Sequence, residues 1–120
     1  LQDVGLWAER ETAAADLPYG DKRRLELGIA LAAEPDLLLM DEPTAGMSPE
    51  ETAATVELIE NVKAERDLTF LLVEHDMEIV MNISDRIIVL DRGSVIAQGT
   101  PEEIRESERV QDAYLGGADR

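Results

Sequence analysis

Apolar residues recur at two different spacings along this 120-residue chain, and each spacing predicts a different kind of element. From Asp21 to Glu34, apolar side chains return at every third or fourth position, which predicts a helix that Pro35 brings to an end. The next apolar residues, Leu37 to Met40, are consecutive and are bounded by polar residues. A continuous run of this kind is typical of a strand buried on both faces of a parallel sheet.

A second helix and a second strand follow in an order that predicts a crossover unit. Ser48, Pro49 and Glu51 form the pattern of a capping box with proline in the first helical turn. The helix that they begin is expected to continue to about Arg66, and a second buried strand is expected over 68–73. Strands joined through a helix in this way are parallel, and their connection is almost always right-handed.

The rest of the chain predicts smaller elements. A short helix is expected over 77–82, followed by a strand over 86–90. The turn sequence at 91–93 leads into a further strand at 94–98, which is expected to be antiparallel to the one before it. A second capping pattern at 100–103 begins a terminal helix. This order of elements indicates an α/β fold.

The charge balance is strongly acidic, with 27 acidic and 11 basic residues and a net charge of −16. The acidic residues are spread through the periodic segments, so they do not form a disordered tail. Such a surface repels phosphate backbones, and nucleic acid is therefore not an expected partner. Two interpretations stay open: an ordinary acidic surface, and adaptation to high salt, where screening removes the repulsion between carboxylates.

Other features narrow the class of protein. The chain contains no cysteine, which excludes disulfides and thiolate metal sites within it. No apolar run reaches the roughly 20 residues needed to cross a bilayer. The N-terminus shows no basic region followed by an apolar stretch, so no signal peptide is expected. Any role at a membrane is therefore expected to depend on a partner protein.

Two carboxylates, Asp41 and Glu42, stand where the first buried strand is expected to end. Ligands of open α/β sheets bind outside the carboxyl ends of the strands. Asp41 is therefore placed like a ligand of magnesium, acting directly or through a water. Glu42 is placed to orient or deprotonate a water. The alternative is that these residues are only a polar exit from the strand.

His75, the only histidine of the chain, follows the second predicted strand. A lone histidine is more often structural than catalytic. Because the carboxyl ends of parallel strands meet at one edge of a sheet, however, Glu42 and His75 are expected to converge there. Glu74 and Asp76 flank the imidazole. The expected convergence favours a role at a bound nucleotide.

A third candidate site is the segment from Leu17 to Asp21, in which Gly20 stands near the start of the first helix. Glycine at a helix N-terminus lets backbone N–H groups face an anion, and the helix dipole attracts it. Three basic residues follow at 22–24, within the first turns of an otherwise acidic protein. The alternative is an ordinary solvated helix start with a glycine before it.

In this order, the motifs resemble those of ABC transporter ATP-binding subunits over nearly the whole chain. The resemblance implies that Asp41 is the Walker B aspartate, Glu42 the catalytic glutamate and His75 the switch histidine. It also places Ser48 in the D-loop. The signature pentapeptide, which faces the ATP of a partner subunit, is implied at Leu17, Pro18, Tyr19, Gly20 and Asp21.

The resemblance implies a partial P-loop NTPase (RecA-like) core with parallel strands, a C-terminal β-hairpin and part of the helical signature subdomain. It divides the chain into the end of that subdomain at 1–34, the second half of the nucleotide-binding core at 35–100 and a helical tail at 101–120. ATP and Mg²⁺ are the implied cofactors. The implied partners are a second ATP-binding subunit, in a homo- or heterodimer, and transmembrane permease subunits at the cytoplasmic face of the membrane.

Within the family, the LPYG form of the signature, followed by RRLE, is similar to subunits of branched-chain amino-acid importers. Importers of urea or short amides and lipopolysaccharide-export ATPases remain alternatives. Three residues depart from the commonest pattern: Pro18 replaces serine, Asp21 replaces glutamine and Ser48 replaces aspartate. These changes remove a hydroxyl contact to phosphate, place a carboxylate near anions and alter the D-loop.

No G-x-x-x-x-G-K-[ST] loop is present in the 120 residues, so nothing in them matches the motif that cradles phosphates. The chain alone is therefore expected to be inactive, although the full-length protein is expected to hydrolyse ATP. A different class of function, a non-catalytic interaction piece, stays open beside it.

Overall fold

The computed structural model describes residues 1–115, the last of them by its backbone only. The chain divides into two compact units, Leu1–His75 and the segment that begins at Asp76. This division follows internal contacts, and the functional division predicted above stays a prediction. None of the helices in the described part is long and apolar enough to cross a membrane.

The first unit is a parallel strand pair with two helices. Its main elements are α1 (Tyr19–Ala32), β1 (Leu37–Asp41), α2 (Pro49–Glu65) and β2 (Thr69–Val73), preceded by short 3₁₀ turns at Trp7–Glu9 and Ala14–Asp16. The order agrees with the pattern in the sequence. Helix α1 starts at Tyr19, earlier than predicted, directly after Pro18 in the N-cap position, so it includes the two residues that precede Asp21.

Strands β1 and β2 pair in parallel over their whole length, as predicted. The register sets Leu37 opposite Thr69 at one end and Asp41 opposite Val73 at the other. The two strands therefore end at the same level, and the residues that follow them leave the sheet at the same edge.

The core of the first unit lies on one face of this strand pair. Its buried residues come from the N-terminal segment, both helices and β1: Val4, Leu6, Leu27, Leu31, Leu38 and Val62. The prediction that β1 is buried on both faces is wrong for the described residues, and β2, also predicted as a buried strand, is exposed on one face. Leu37 and Leu39 of β1 are 52% and 65% exposed, and Leu71 and Val73 of β2 are 55% and 56% exposed. Successive side chains of a strand point to opposite faces of the sheet. The core side chains of α1 and α2 pack against only one of these faces.

The second unit contains α3 (Met77–Ile83), β3 (Ile87–Asp91), β4 (Ser94–Gly99), α4 (Pro101–Arg105), α5 (Glu108–Val110) and a π-helical turn (Gln111–Leu115). Strands β3 and β4 are antiparallel, as predicted. Arg92 and Gly93 connect them with φ values of 51° and 80°, the backbone that a two-residue hairpin loop requires. Four buried residues form the core of this unit: Ile87, Val89, Ile104 and Val110.

The predicted capping box at the start of α4 is present. The Thr100 N–H donates to Glu103 Oε1 at 3.1 Å, and the Glu103 N–H donates to Thr100 Oγ1 at 3.3 Å. The backbone hydrogen bond from Thr100 lowers the pKa of the Glu103 carboxyl. A depressed folded-state pKa means that this cap stabilises the fold above the unfolded pKa and is lost as pH falls through the folded value.

We expect salt to stabilise the fold. A net charge of −16 in a chain of this size produces repulsion between neighbouring carboxylates, and the screening length falls from about 10 Å at 0.1 M to about 3 Å at 1 M ionic strength. The melting midpoint, followed by circular dichroism, should rise by several degrees as potassium chloride increases over that range. A parallel series in sucrose separates charge screening from the effect of excluded cosolvents. A midpoint that stays flat or falls in salt would contradict salt adaptation and favour an ordinary acidic surface.

Candidate functional site

The carboxyl end of the β1–β2 pair brings together the residues predicted from the two strand exits. The Glu42 N–H donates to the Val73 carbonyl at 2.7 Å, which extends the strand pairing one residue beyond β1. Glu74 and His75 follow directly on the other strand. The expected convergence of Glu42 and His75 on one edge is therefore what the strand register produces.

Asp41 and Glu42 both present exposed carboxylates at this edge. No hydrogen bond or ion pair of either carboxylate is found within residues 1–115, so both remain available to a ligand. Glu42 has φ 47°, a left-handed backbone that is uncommon outside glycine. Its carbonyl accepts from the Arg23 guanidinium at 3.4 Å and from the Ala45 N–H at 3.1 Å. These contacts hold the turn that carries the catalytic candidate.

The His75 side chain is 76% exposed, whereas that of its neighbour Glu74 is 1% exposed. Glu74 Oε1 lies 3.4 Å from His75 Nδ1, and its other oxygen accepts from the Thr44 hydroxyl at 2.9 Å. Neither Glu74 nor Thr44 was predicted as a site residue. The one feature of the sequence that could have pointed to Glu74 was the position of its carboxylate beside the only histidine. The burial of that carboxylate depends on a threonine 30 positions away.

The structure also places the predicted signature residues. Leu17 is buried, and Pro18 stands at the N-cap position without a side-chain cap. Tyr19, Gly20 and Asp21 form the first turn of α1.

Two of the three basic residues at 22–24 lie near acidic side chains of the same helix. Arg24 lies 3.9 Å from Asp21, and Arg23 lies 3.2 Å from Glu26. Both cations therefore have local carboxylates. Their unfavourable position relative to the helix dipole needs no bound anion to explain it.

Tyr19 ties the signature segment to the loop that precedes α2. Its hydroxyl donates to the Ala45 carbonyl at 3.1 Å. A Cβ atom on Gly46, whose φ is 76°, would lie 3.6 Å from the Tyr19 ring. Beside it, a Cβ on Gly20 would lie 3.2 Å from the Glu51 carboxyl carbon. At Gly46 a Cβ would make only ordinary van der Waals contact, so the positive φ is what favours glycine there, whereas at Gly20 a Cβ would displace the flexible carboxylate end of Glu51.

Ser48 forms the predicted capping box of α2. Its hydroxyl accepts from the Glu51 N–H at 3.2 Å, and its own N–H donates to Glu51 Oε1 at 3.4 Å. The serine that replaces the usual D-loop aspartate thus has a structural task within this chain. Its predicted role in contact with a partner subunit stays a prediction.

The donor chemistry at this edge suits magnesium. Within the described residues, no cluster of three or more acidic, histidine or cysteine side chains is arranged to hold a metal. Mg²⁺ does not require such a cage, because it keeps several waters and binds one or two carboxylates together with substrate phosphates. A single exposed carboxylate such as that of Asp41 therefore fits Mg²⁺ bound with a nucleotide.

Comparison with known proteins places these residues in context. Residues 94–120 match the protein family described as "Branched-chain amino acid ATP-binding cassette transporter". Over 118 residues, the chain is 47% identical to the high-affinity branched-chain amino acid transport ATP-binding protein LivG of Salmonella typhimurium, covering 98% of this chain and 46% of LivG. The corresponding protein BraF of Pseudomonas aeruginosa is 44% identical over the same coverage. The chain thus spans about half the length of these relatives.

Comparison with solved structures also finds similarity to ATP-binding proteins of ABC transporters. The ADP conformation of MJ1267, an ATP-binding cassette of an ABC transporter, superposes with a TM-score of 0.83 at 30% identity, covering 97% of this chain and 47% of MJ1267. In sequence and fold, the chain resembles the C-terminal part of an ABC transporter ATP-binding subunit. CbiO1 of Clostridium perfringens, part of the ABC transporter complex cbiONQ, superposes with a TM-score of 0.82 at 31% identity. The partial α/β core with parallel strands and a hairpin therefore matches the fold of solved ATP-binding cassettes of ABC transporters.

We expect the Tyr19 contact to stabilise the first unit measurably. Tyr19→Phe removes one hydroxyl hydrogen bond and leaves the ring on Gly46, so the free energy of unfolding should fall by roughly 0.5–1.5 kcal/mol. Gly46→Ala should cost about 1 kcal/mol or more, because alanine is strained at positive φ. Urea unfolding followed by the fluorescence of Trp7, the only tryptophan, reports on this unit. Unchanged midpoints in both variants would contradict the contact.

Proposed function

We propose that the protein containing this chain is an ATP-hydrolysing subunit that powers an ABC importer. In this proposal the chain supplies the part of the ATP site that positions water and magnesium. The observation that carries the proposal is the common edge of β1 and β2, where Asp41, Glu42 and His75 follow strands that end at the same level. An exposed carboxylate pair and an exposed imidazole at such an edge match the requirements of phosphoryl transfer to water.

In the proposed reaction, Glu42 orients the attacking water and accepts its proton, which makes the oxygen a better nucleophile. The left-handed backbone at Glu42, fastened to Val73, holds this carboxylate at the edge. His75 contacts the terminal phosphate through its exposed ring. Asp41 would hold Mg²⁺, directly or through a water, and the ion when bound neutralises charge on the phosphate oxygens.

Two further parts of the proposal concern partners. The signature residues Leu17–Asp21 are proposed to face ATP held by a second ATP-binding subunit, in a homo- or heterodimer. Transmembrane permease subunits would hold the protein at the cytoplasmic face of the membrane. The relatives LivG and BraF are named for branched-chain amino-acid transport, which supports the same class of solute here.

The role of Glu42 is testable in a complete subunit that contains these residues. Glu42→Gln keeps the size of the side chain but removes its basicity, so the ATPase rate should fall by about 10²–10⁴-fold, the usual contribution of a general base. Nucleotide affinity should change little, because the carboxylate acts on water. ATP turnover by phosphate release and binding by a fluorescent nucleotide measure the two quantities separately.

A matched control is Glu50→Gln, which makes the same chemical change at an exposed position in the first turn of α2. It should leave turnover near the wild-type rate. Near wild-type turnover in Glu42→Gln would contradict the assignment of Glu42 and leave His75 as the dominant group.

The isolated 120-residue chain should show no ATPase activity and at most very weak nucleotide binding. The reason is that none of its residues form the phosphate-cradling loop. Isothermal calorimetry with Mg-ATP measures this directly, with Mg-ADP as the companion titration. Tight one-to-one binding by the chain alone would overturn the expectation.

A further inference from the structure

Glu74 is a carboxylate that the proposed reaction does not use, and its side chain is only 1% exposed. Burying an ionised carboxylate is costly unless hydrogen-bond donors replace the lost water. The structure provides them: no buried polar side-chain atom among the described residues lacks a partner. The site around Glu74 is therefore built to hold this carboxylate, and its partners show what it does.

The two oxygens of Glu74 have separate partners. Oε2 accepts from the Thr44 hydroxyl at 2.9 Å. Oε1 accepts from the His75 N–H at 3.2 Å and lies 3.4 Å from the ring nitrogen Nδ1 of the same residue. Within residues 1–115, no lysine or arginine is found in contact with this carboxylate. Among the described residues, the His75 ring is thus the one side chain at Glu74 that can carry positive charge.

We propose that Glu74 is a positioning residue that holds the His75 ring with Nδ1–H directed at the buried carboxylate. This leaves Nε2 as the nitrogen available to a ligand. The inference rests on the function proposed above, in which the exposed ring acts at a nucleotide. It adds a definite orientation and a definite tautomer to that role.

The tautomer decides what the ring can do. A neutral imidazole that donates from Nδ1 has only a lone pair at Nε2, so it accepts a hydrogen bond there. Donation from Nε2 to a phosphate oxygen requires the second proton. The positive charge that comes with this proton then lies beside Glu74, which serves as its counter-ion. Glu74 therefore directs the ring and also neutralises the charge that contact with an anion demands.

Thr44 extends this arrangement to the turn that carries Glu42. It lies two residues beyond Glu42 in the sequence, and its hydroxyl occupies the Glu74 oxygen that does not face His75. Loss of the hydroxyl leaves a buried carboxylate oxygen without its donor, which frees Glu74 to turn towards water. The orientation of His75 should then weaken although no atom of the histidine has changed.

Nuclear magnetic resonance of the chain tests the proposal, because His75 is the only histidine. The ¹⁵N shifts of the labelled ring, recorded where the imidazole is neutral, report the ratio of the two tautomers. We expect the Nδ1–H form to dominate in the wild type. Glu74→Gln replaces a charged acceptor by a weaker neutral one, and Thr44→Val removes the donor to Glu74. Each should shift the ratio towards Nε2–H by about threefold or more, the effect of one modest hydrogen bond.

Two controls isolate the cause. Thr44→Ser keeps a hydroxyl and should restore the wild-type ratio. Glu60→Gln neutralises an exposed carboxylate on α2 and should leave the signals unchanged. If Glu74→Gln does not fold, Thr44→Val decides the question.

A wild-type ring that is mainly in the Nε2–H form would overturn the proposal. A ratio that does not change in folded Glu74→Gln or Thr44→Val would also overturn it. The measurement involves no nucleotide, so its failure would leave the proposed ATPase function standing. Conversely, a Glu42→Gln subunit that keeps its turnover would leave the tautomer result untouched.

Discussion

The candidate site depends on the parallel pairing of β1 with β2. Each strand is five residues long, and their register sets Asp41 opposite Val73, so both chains leave the sheet together. A slip of one residue would move His75 by about 3.3 Å along the sheet and exchange the inner and outer faces of the shifted strand. Phe70, a side chain of β2 that packs against the core, opposes such a slip, because its packing depends on which face it occupies. The position of the chemistry is therefore a consequence of packing in the core below it.

In the first unit, the strand pair is covered by helices on one face only. Parallel sheets in α/β proteins are normally covered by helices on both faces. Here both helices contribute to one core, and apolar residues such as Leu39 and Leu71 of the opposite face are more than half exposed. Asp41 shares the strand alternation of Leu39, so the proposed magnesium ligand belongs to this uncovered face. The chain matches about half of the length of LivG.

The sequence predicted most of the fold because its signals are local. Pro35 ends a helix, the Ser48 box begins one, and continuous apolar runs mark β1 and β2, all without reference to the rest of the molecule. The convergence of Glu42 and His75 followed from one topological rule about parallel strands. The prediction of burial on both faces was wrong because an apolar run only shows that a strand can be buried on both sides. Whether it is buried depends on how many layers of structure pack against it. The contacts of Glu74 were not predictable, since no periodicity connects Thr44 to a residue 30 positions away.

Two residues of the site depart from the conformation or the exposure that their residue types usually have. Glu42 has the left-handed backbone that glycine favours, and Glu74 is a carboxylate within a buried environment. Conformations and burials of this kind cost on the order of 1–3 kcal/mol each and persist only when neighbouring contacts hold them. Here the contacts form one connected set, in which Val73 holds the backbone of Glu42 and Thr44, two residues later, holds Glu74. These two hydrogen bonds join the turn after β1 to the residues at the end of β2, and they hold both unfavourable features in place.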